Sequence, residues 1–435
     1  MVVGEVANLG YFLAGIGCGW VPPILNKYKN SATDFSLTTE DCSLIASLHY
    51  AGKGIACLLT LMLLDKVGRN AILIFGTTAS LAVWLAVLFT KSVPLHFVIR
   101  LLFGLGAGAT EMATPVYIGE NSSPKLRSVF GGICIIFFYL GELVAFFVAT
   151  YFSYQTIAIV FLAITAASFL SIFWLREPAQ YLLARGQEEK AAQNFFILRG
   201  SSQAAKQEFE ETKANLQQQK SHHFSIQLLA DKSIRAVCIV NLFMYLIGYP
   251  PINAMSSLAF LPIGKVTPNE LTVILGVVQL ISVALSSTFI ERFGRRSLLM
   301  SSAAICSVFQ LVSGIVFYFE EQGTPLPFTN WLLFIFITGY SVVTAALMFP
   351  ICTVVRSELL SPQLKPIGNC MSVVLNSIVS VGMTTAFLIV AETYGMKTNF
   401  FFFAAMGAAM FAYVYIDLPE TRGLTLTEIQ RALRN

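Results

Sequence analysis

Three ionisable side chains stand where almost none should: Lys53, Glu111 and Glu142 each lie inside a long apolar run. At 1.5 Å per helical residue, Lys53 falls roughly 18 Å from Asp65, Glu111 roughly 13 Å from Glu120 and Glu142 roughly 22 Å from Arg127. A hydrocarbon core about 30 Å thick places all three near its middle. A lone charge there costs at least about 2.5–3.5 kcal/mol on insertion scales. The three must therefore face a protein interior and find partners. One expectation is that Lys53 neutralises one glutamate while the other is protonated or meets a solute; a buried structural pair is the other reading.

A second set of charges comes in pairs along the chain. Glu120-Asn-Ser-Ser-Pro-Lys-Leu-Arg127 and Glu358-Leu-Leu-Ser-Pro-Gln-Leu-Lys365 share an acid, serine, proline, leucine and closing base, 238 residues apart. Asp65-Lys-Val-Gly-Arg69 is echoed by Glu291-Arg-Phe-Gly-Arg295-Arg296, and Glu177 by Glu420. Acids beside bases at span ends suit ion pairs that hold two lobes together in one state and release them in another. The alternative is orientation signals plus surface charges worth under about 1 kcal/mol each.

These charges need apolar elements to position them. The chain has 435 residues, 56% hydrophobic and 12% charged, with mean hydropathy +0.70. A soluble domain carries about 25% charged residues. Runs long enough to cross a bilayer recur, and twelve spans are expected near 6–26, 43–64, 71–90, 95–118, 128–151, 154–175, 234–261, 270–290, 297–319, 330–355, 366–391 and 396–416. The fold class is all-α membrane protein, two six-helix pseudo-repeats: 1–175, a linker 176–233, 234–416, and a tail 417–435. Of 28 lysines and arginines, 21 fall in connections on one side and five on the other. The excess marks the cytoplasmic side and places both termini and the linker there. The linker's Glu, Lys, Gln and Ala favour short amphipathic helices over a solvated tether.

No leader with a basic start and small-residue cleavage site is visible. The eight cysteines show neither metal nor disulfide spacing and read as small packing residues. His49, near the outer end of span 2, suits packing or pH sensing. With no phosphate loop, metal cluster or activated nucleophile in view, the pattern is that of a carrier without cofactor rather than an enzyme.

Breaks in helices mark binding sites in carriers built from repeats. Gly19-Trp20-Val-Pro-Pro-Ile24 in span 1 and Gly248-Tyr-Pro-Pro-Ile252 in span 7 repeat glycine, aromatic and double proline. Proline removes an amide donor, which frees carbonyls to face a cavity; bundle curvature without ligand contact is the competing account.

Taken together, these motifs resemble the sugar porters of the major facilitator superfamily over essentially the whole chain. Asp65 to Arg69, Tyr117 with Glu120, Ser123, Pro124 and Arg127, Glu291 to Arg296, and Pro419-Glu420-Thr-Arg-Gly423 match its signatures; Arg176-Glu177-Pro-Ala-Gln180 departs from one, and Asn70 stands where a second arginine is usual. Arg100 matches the arginine opening helix 4. The opening Asn8-Leu-Gly and Gly276-Val-Val-Gln279 are most similar to the arthropod facilitated trehalose transporter branch. The resemblance implies a cytoplasmic gate of Arg69, Glu120, Arg127, Glu177, Glu291, Arg295, Arg296, Glu358, Lys365 and Glu420. It also implies a substrate path at Asn253, Gln279, Thr353, Glu111 and Ile135, to which the break in span 1 adds Trp20. Here Ile135 replaces a glutamine, Gln279 an asparagine and Thr353 a tryptophan. Proton-linked members carry an aspartate on helix 1; residues Ala7 to Leu25 hold no ionisable carboxylate or base, which favours facilitated diffusion. The expected activity is uniport of a sugar or polyol, with the plasma membrane as default location. A transport-inactive sensor and a carrier of a charged or amphipathic solute, with or without proton coupling, through Lys53, Glu111 and Glu142 are the alternatives.

Overall fold

The computed structural model describes residues 2–29, 37–90, 92–122, 124–218, 231–290, 293–360, 364–422 and 428. Among them the regular elements are all helices, apart from an isolated bridge between Ile263 and Val266. The first lobe holds α1 (Val2–Gly19), α2 (Val21–Lys29), α3 (Thr39–Val67), α4 (Arg69–Phe89), α5 (Val93–Asn121), α6 (Pro124–Tyr151) and α7 (Tyr154–Ile172). Three short helices follow: α8 (Ala179–Ala184), α9 (Glu188–Arg199) and α10 (Gln203–Gln218). Their own small core of Leu182, Ala191, Phe195 and Phe209 explains why this polar stretch folds. The second lobe holds α11 (Lys232–Leu246), α12 (Tyr249–Ala254), α13 (Ser256–Ala259), α14 (Pro268–Ile290), α15 (Arg295–Glu321), α16 (Thr329–Val343), α17 (Phe349–Leu359), α18 (Lys365–Tyr394) and α19 (Met396–Asp417). A wide helical turn, Thr344–Met348, joins α16 to α17.

Ten of the expected spans appear as helices long and apolar enough to cross a membrane. The other two are the spans with the glycine–proline strings. Span 1 breaks at Trp20, between α1 and α2. Span 7 breaks at Gly248, which sits at φ 94°, and again at Met255. Pro250 and Pro251 begin α12, where their missing amides cost nothing.

The pseudo-repeat reaches the helix starts. Thr38 accepts the Asp41 amide and Asp41 accepts the Thr38 amide, a reciprocal cap at the head of α3. Thr267 and Glu270 do the same ahead of α14. The lobes meet along two antiparallel seams, α3 on α18 and α6 on α14. Large apolar residues cover the outside: Met62, Phe89, Leu170, Trp174 and Ile416 are each more than 60% exposed. Water would penalise such a surface and lipid favours it.

Candidate functional site

At the base-rich end the two lobes build one arrangement twice. Glu177 accepts the amides of Arg69 at 2.6 Å and Asn70 at 3.2 Å, at the head of α4. Glu420 accepts the amides of Arg295 at 2.9 Å and Arg296 at 3.2 Å, at the head of α15. A carboxylate at a helix N-terminus meets unpaired amides and the positive end of the dipole. Burial holds the Glu177 carboxyl above the usual carboxylate range against the pull of those amides. Gly68, just before α4, has φ 96°, and a Cβ there would lie 2.4 Å from Glu177 Oε1.

The arginines then reach the next motif. Arg69 Nη2 lies 2.7 Å from Glu120 Oε1 and Nη1 3.0 Å from Asp65. Arg295 pairs with Glu358 at 3.2 Å, and Glu358 accepts the Thr421 hydroxyl at 2.5 Å. Arg296 turns to the carbonyls of Val414 and Tyr415. Asn70, in place of the second arginine, donates to Leu175 O at 2.9 Å and restores a tie of the same kind. Sequence reading expected pairs that hold lobe to lobe. In this conformation each of these pairs braces helices of a single lobe. The Arg127 side chain and Glu291 lie outside the described residues, and Lys365 opens α18 half-buried.

Bonds between lobes gather at the opposite end. Asn26 donates to Asn269 Oδ1 at 2.8 Å, Asn269 to Pro23 O at 3.3 Å, Thr150 to Asn269 O at 3.4 Å, and Ser257 to Pro22 O. Thr39 donates to Glu392 at 2.5 Å.

Between the two ends lies a polar belt. Lys53 of α3 and Glu111 of α5 pair at 2.5 Å, each side chain 19% exposed, so solvent reaches them deep in the protein. Tyr11 donates to the Glu111 carbonyl at 3.2 Å. Lys53 thus pairs with one of the two glutamates. The other, Glu142 of α6, is buried and accepts Asn253 Nδ2 of α12 at 2.6 Å, across the lobes. The Tyr139 and Tyr249 hydroxyls lie 3.4 Å apart across the same divide. Gln279 is buried on α14.

The remaining residues of the expected path are placed elsewhere or spent locally. Thr353 is half-buried and its hydroxyl donates to Pro350 O of its own helix at 2.6 Å. Ile135 packs beside Tyr139, Val283 and Ala345 in an apolar cluster joining α6 to the second lobe. Trp20 stacks edge-on to Trp84 at 5.3 Å in an aromatic core with Phe103 and Phe161. It shapes the break in span 1 from within the first lobe.

Sequence reasoning missed Tyr139 as the partner of Tyr249, although Tyr249 stands in the string that marked the break. It also left Arg100 without a role. Arg100 is buried and donates from Nε to Ile45 O and from Nη1 to Gly17 O, both at 2.8 Å. Gly17 precedes the break, so the guanidinium takes up a carbonyl that α1 leaves unpaired. His49 lies beside Cys18 at 3.5 Å, inside the first lobe.

The family profile described as "Sugar (and other) transporter" matches residues 7–433. The chain belongs to that family. It is a transporter, not an enzyme, with the two-lobed fold of the major facilitator superfamily. It is 28% identical to sugar transporter ERD6-like 7 of Arabidopsis thaliana over 98% of this chain and 92% of that protein. It is 25% identical to the human solute carrier family 2, facilitated glucose transporter member 6, over 98% and 90%. With the facilitated trehalose transporter Tret1 of Culex quinquefasciatus it shares 22% over 98% and 84%. Among solved structures, a partially occluded inward open conformation of the E. coli xylose transporter XylE superposes with a TM-score of 0.82 at 18% identity, covering 98% of this transporter and 99% of that chain.

Proposed function

We propose that this transporter moves a neutral sugar or polyol by facilitated diffusion, its two lobes rocking about the polar belt. The carrying observation is Asn253. A broken span brings its amide into the seam between lobes, where it meets Glu142 beside Tyr139 and Tyr249. Amides, hydroxyls and aromatic faces are the groups that read a polyhydroxylated solute. The Lys53–Glu111 pair cancels its own charge, which removes the main reason to expect a charged solute. Arg100 is satisfied by carbonyls rather than by an acid on span 1, which supports uniport over proton linkage. The named relatives carry glucose, trehalose and xylose, so hexoses, pentoses and disaccharides come first.

The inner clusters are gates in this reading. They brace each lobe now and exchange partners between lobes when the opposite end opens, with Arg127, Glu291 and Lys365 joining them. The 21-to-5 excess of bases supports a cytoplasmic side for both termini and the linker 176–233, with the plasma membrane as the default location. The test is uptake of labelled hexoses, pentoses, trehalose and polyols into proteoliposomes, with and without a protonophore. Saturable uptake indifferent to the protonophore is expected. Binding without flux would make the protein a sensor, and loss of uptake with the protonophore would overturn uniport.

A further inference from the structure

The break in span 7 leaves one buried carbonyl without a local donor. Ile247 O would accept from residue 250 in a tight turn or from residue 251 in an α-helix, and both are proline. The next amide, that of Ile252, is spent on Gly248 O at 3.1 Å. The loss at 250 and 251 holds however α12 is bent against α11, because no backbone motion gives proline an N–H. Ile247 is fully buried, and a buried carbonyl is ordinarily paired. Its donor must come from another helix.

That donor is Gln310 of α15. Gln310 is 1% exposed, and its Nε2 donates to Ile247 O at 3.4 Å. Ser307, one turn away, ties α15 to α19 by donating to Ala404 O at 2.7 Å. α19 in turn supplies the Phe403 ring that lies against Gly248. The break therefore rests on a donor and an aromatic ring, carried by two helices bonded to each other. The first lobe repeats the device with other residues: Arg100 takes Gly17 O at 2.8 Å, and a Cβ at Gly17 would run into the Phe103 ring of the same helix α5. We infer that Gln310 is a positioning residue of the transport cycle, its amide holding the end of α11 fixed while α12, which carries Asn253, changes its angle. This role rests on the carrier reading above. It needs no contact with the solute, since Gln310 works from inside the second lobe. Without the amide, only water could answer Ile247 O, so conformations that wet the break gain over those that bury it. Exchange between the two ends then slows, while the groups that read the solute are kept.

The experiment measures initial uptake in proteoliposomes, with the sugar of the panel that the wild type carries. Gln310→Met keeps the length of the side chain and removes the donor. Maximal uptake is expected to fall at least tenfold, with KM within threefold of the wild type. Pro251→Ala returns an amide four residues after Ile247, the position from which an α-helix serves that carbonyl. In the Pro251→Ala background, Gln310→Met is expected to lower maximal uptake less than twofold, a non-additivity that a packing role would not produce. Gln310→Asn, whose amide falls one methylene short, carries the same comparison should Gln310→Met not fold. Losses of similar size in both backgrounds, or a full maximal rate in the single variant, overturn the pivot while leaving sugar transport intact. A wild type inert toward every sugar in the panel defeats the carrier reading, and the pivot with it.

Discussion

The sulphurs of Cys57 and Cys370, 313 positions apart in sequence, lie 3.4 Å from each other across the two lobes. They sit on the seam of α3 and α18 that begins at Thr39 and Glu392 and continues past Gly54 and Ser377. Rocking must change the contact between these helices, and two thiols report on it. Copper-phenanthroline with oxygen as oxidant would convert them to a disulfide. We expect oxidation to lower uptake at least tenfold, reduction to restore it, and Cys57→Ser to be insensitive. Full uptake in cross-linked protein would mean that this seam does not move.

Arg69 holds Glu120 and Asp65 with its guanidinium and Glu177 with its amide. Removing one partner of a buried pair costs about 3–5 kcal/mol, because the remaining charge is stranded. Asp65 is exposed, so Arg69→Met should fall at the lower end of that range, read as a large drop in melting temperature. Arg69→Met with Glu120→Met should recover part of it. Equal stability of wild type and Arg69→Met would remove the cluster from the folding account.

Gly248 ends α11 at φ 94°, and a Cβ there would meet the Phe403 ring at 2.6 Å. Gly248→Ala carries both backbone strain and a clash, together on the order of 2 kcal/mol or more. Lower melting temperature and slower uptake are expected. Gly119 is helical with open space around it, so Gly119→Ala should be neutral or stabilising by up to about 1 kcal/mol. A reversed order in thermal unfolding would contradict the assigned break.

Arg100 joins Gly17 to Ile45 through two carbonyls. Arg100→Lys keeps the charge but loses the fixed fork of donors. We expect a tenfold or greater fall in maximal uptake with correct membrane insertion, and no new pH dependence. A pH profile displaced from the wild type would implicate Arg100 in proton handling.

Much of the architecture was legible because it is written in local chemistry. Apolar runs of bilayer length gave the spans, and the strings at Gly19 and Gly248 fell at the two breaks. The acids and bases near Arg69 and Arg295 were legible as repeats, since helix-end caps need particular residues at particular offsets. What could not be read were contacts between lobes. Glu142 with Asn253, Tyr139 with Tyr249 and Cys57 with Cys370 join helices whose relative register no periodicity encodes. Trp20 was expected along the substrate path from its place beside a break, but its large apolar ring packs against Trp84 in the lobe core. Thr353 was expected there by position alone, and its hydroxyl is spent on its own helix.

The central claim is that the two ends of the bundle open in turn. Spin labels at Tyr151 and Thr267 report the end sealed here, and labels at Lys66 and Phe293 report the base-rich end; all four positions are exposed. Pulsed electron–electron distances, measured with and without saturating sugar in nanodiscs, test it directly. Opposite changes are expected, one pair parting as the other closes. Both distances moving together, or neither moving while sugar is transported, would contradict it.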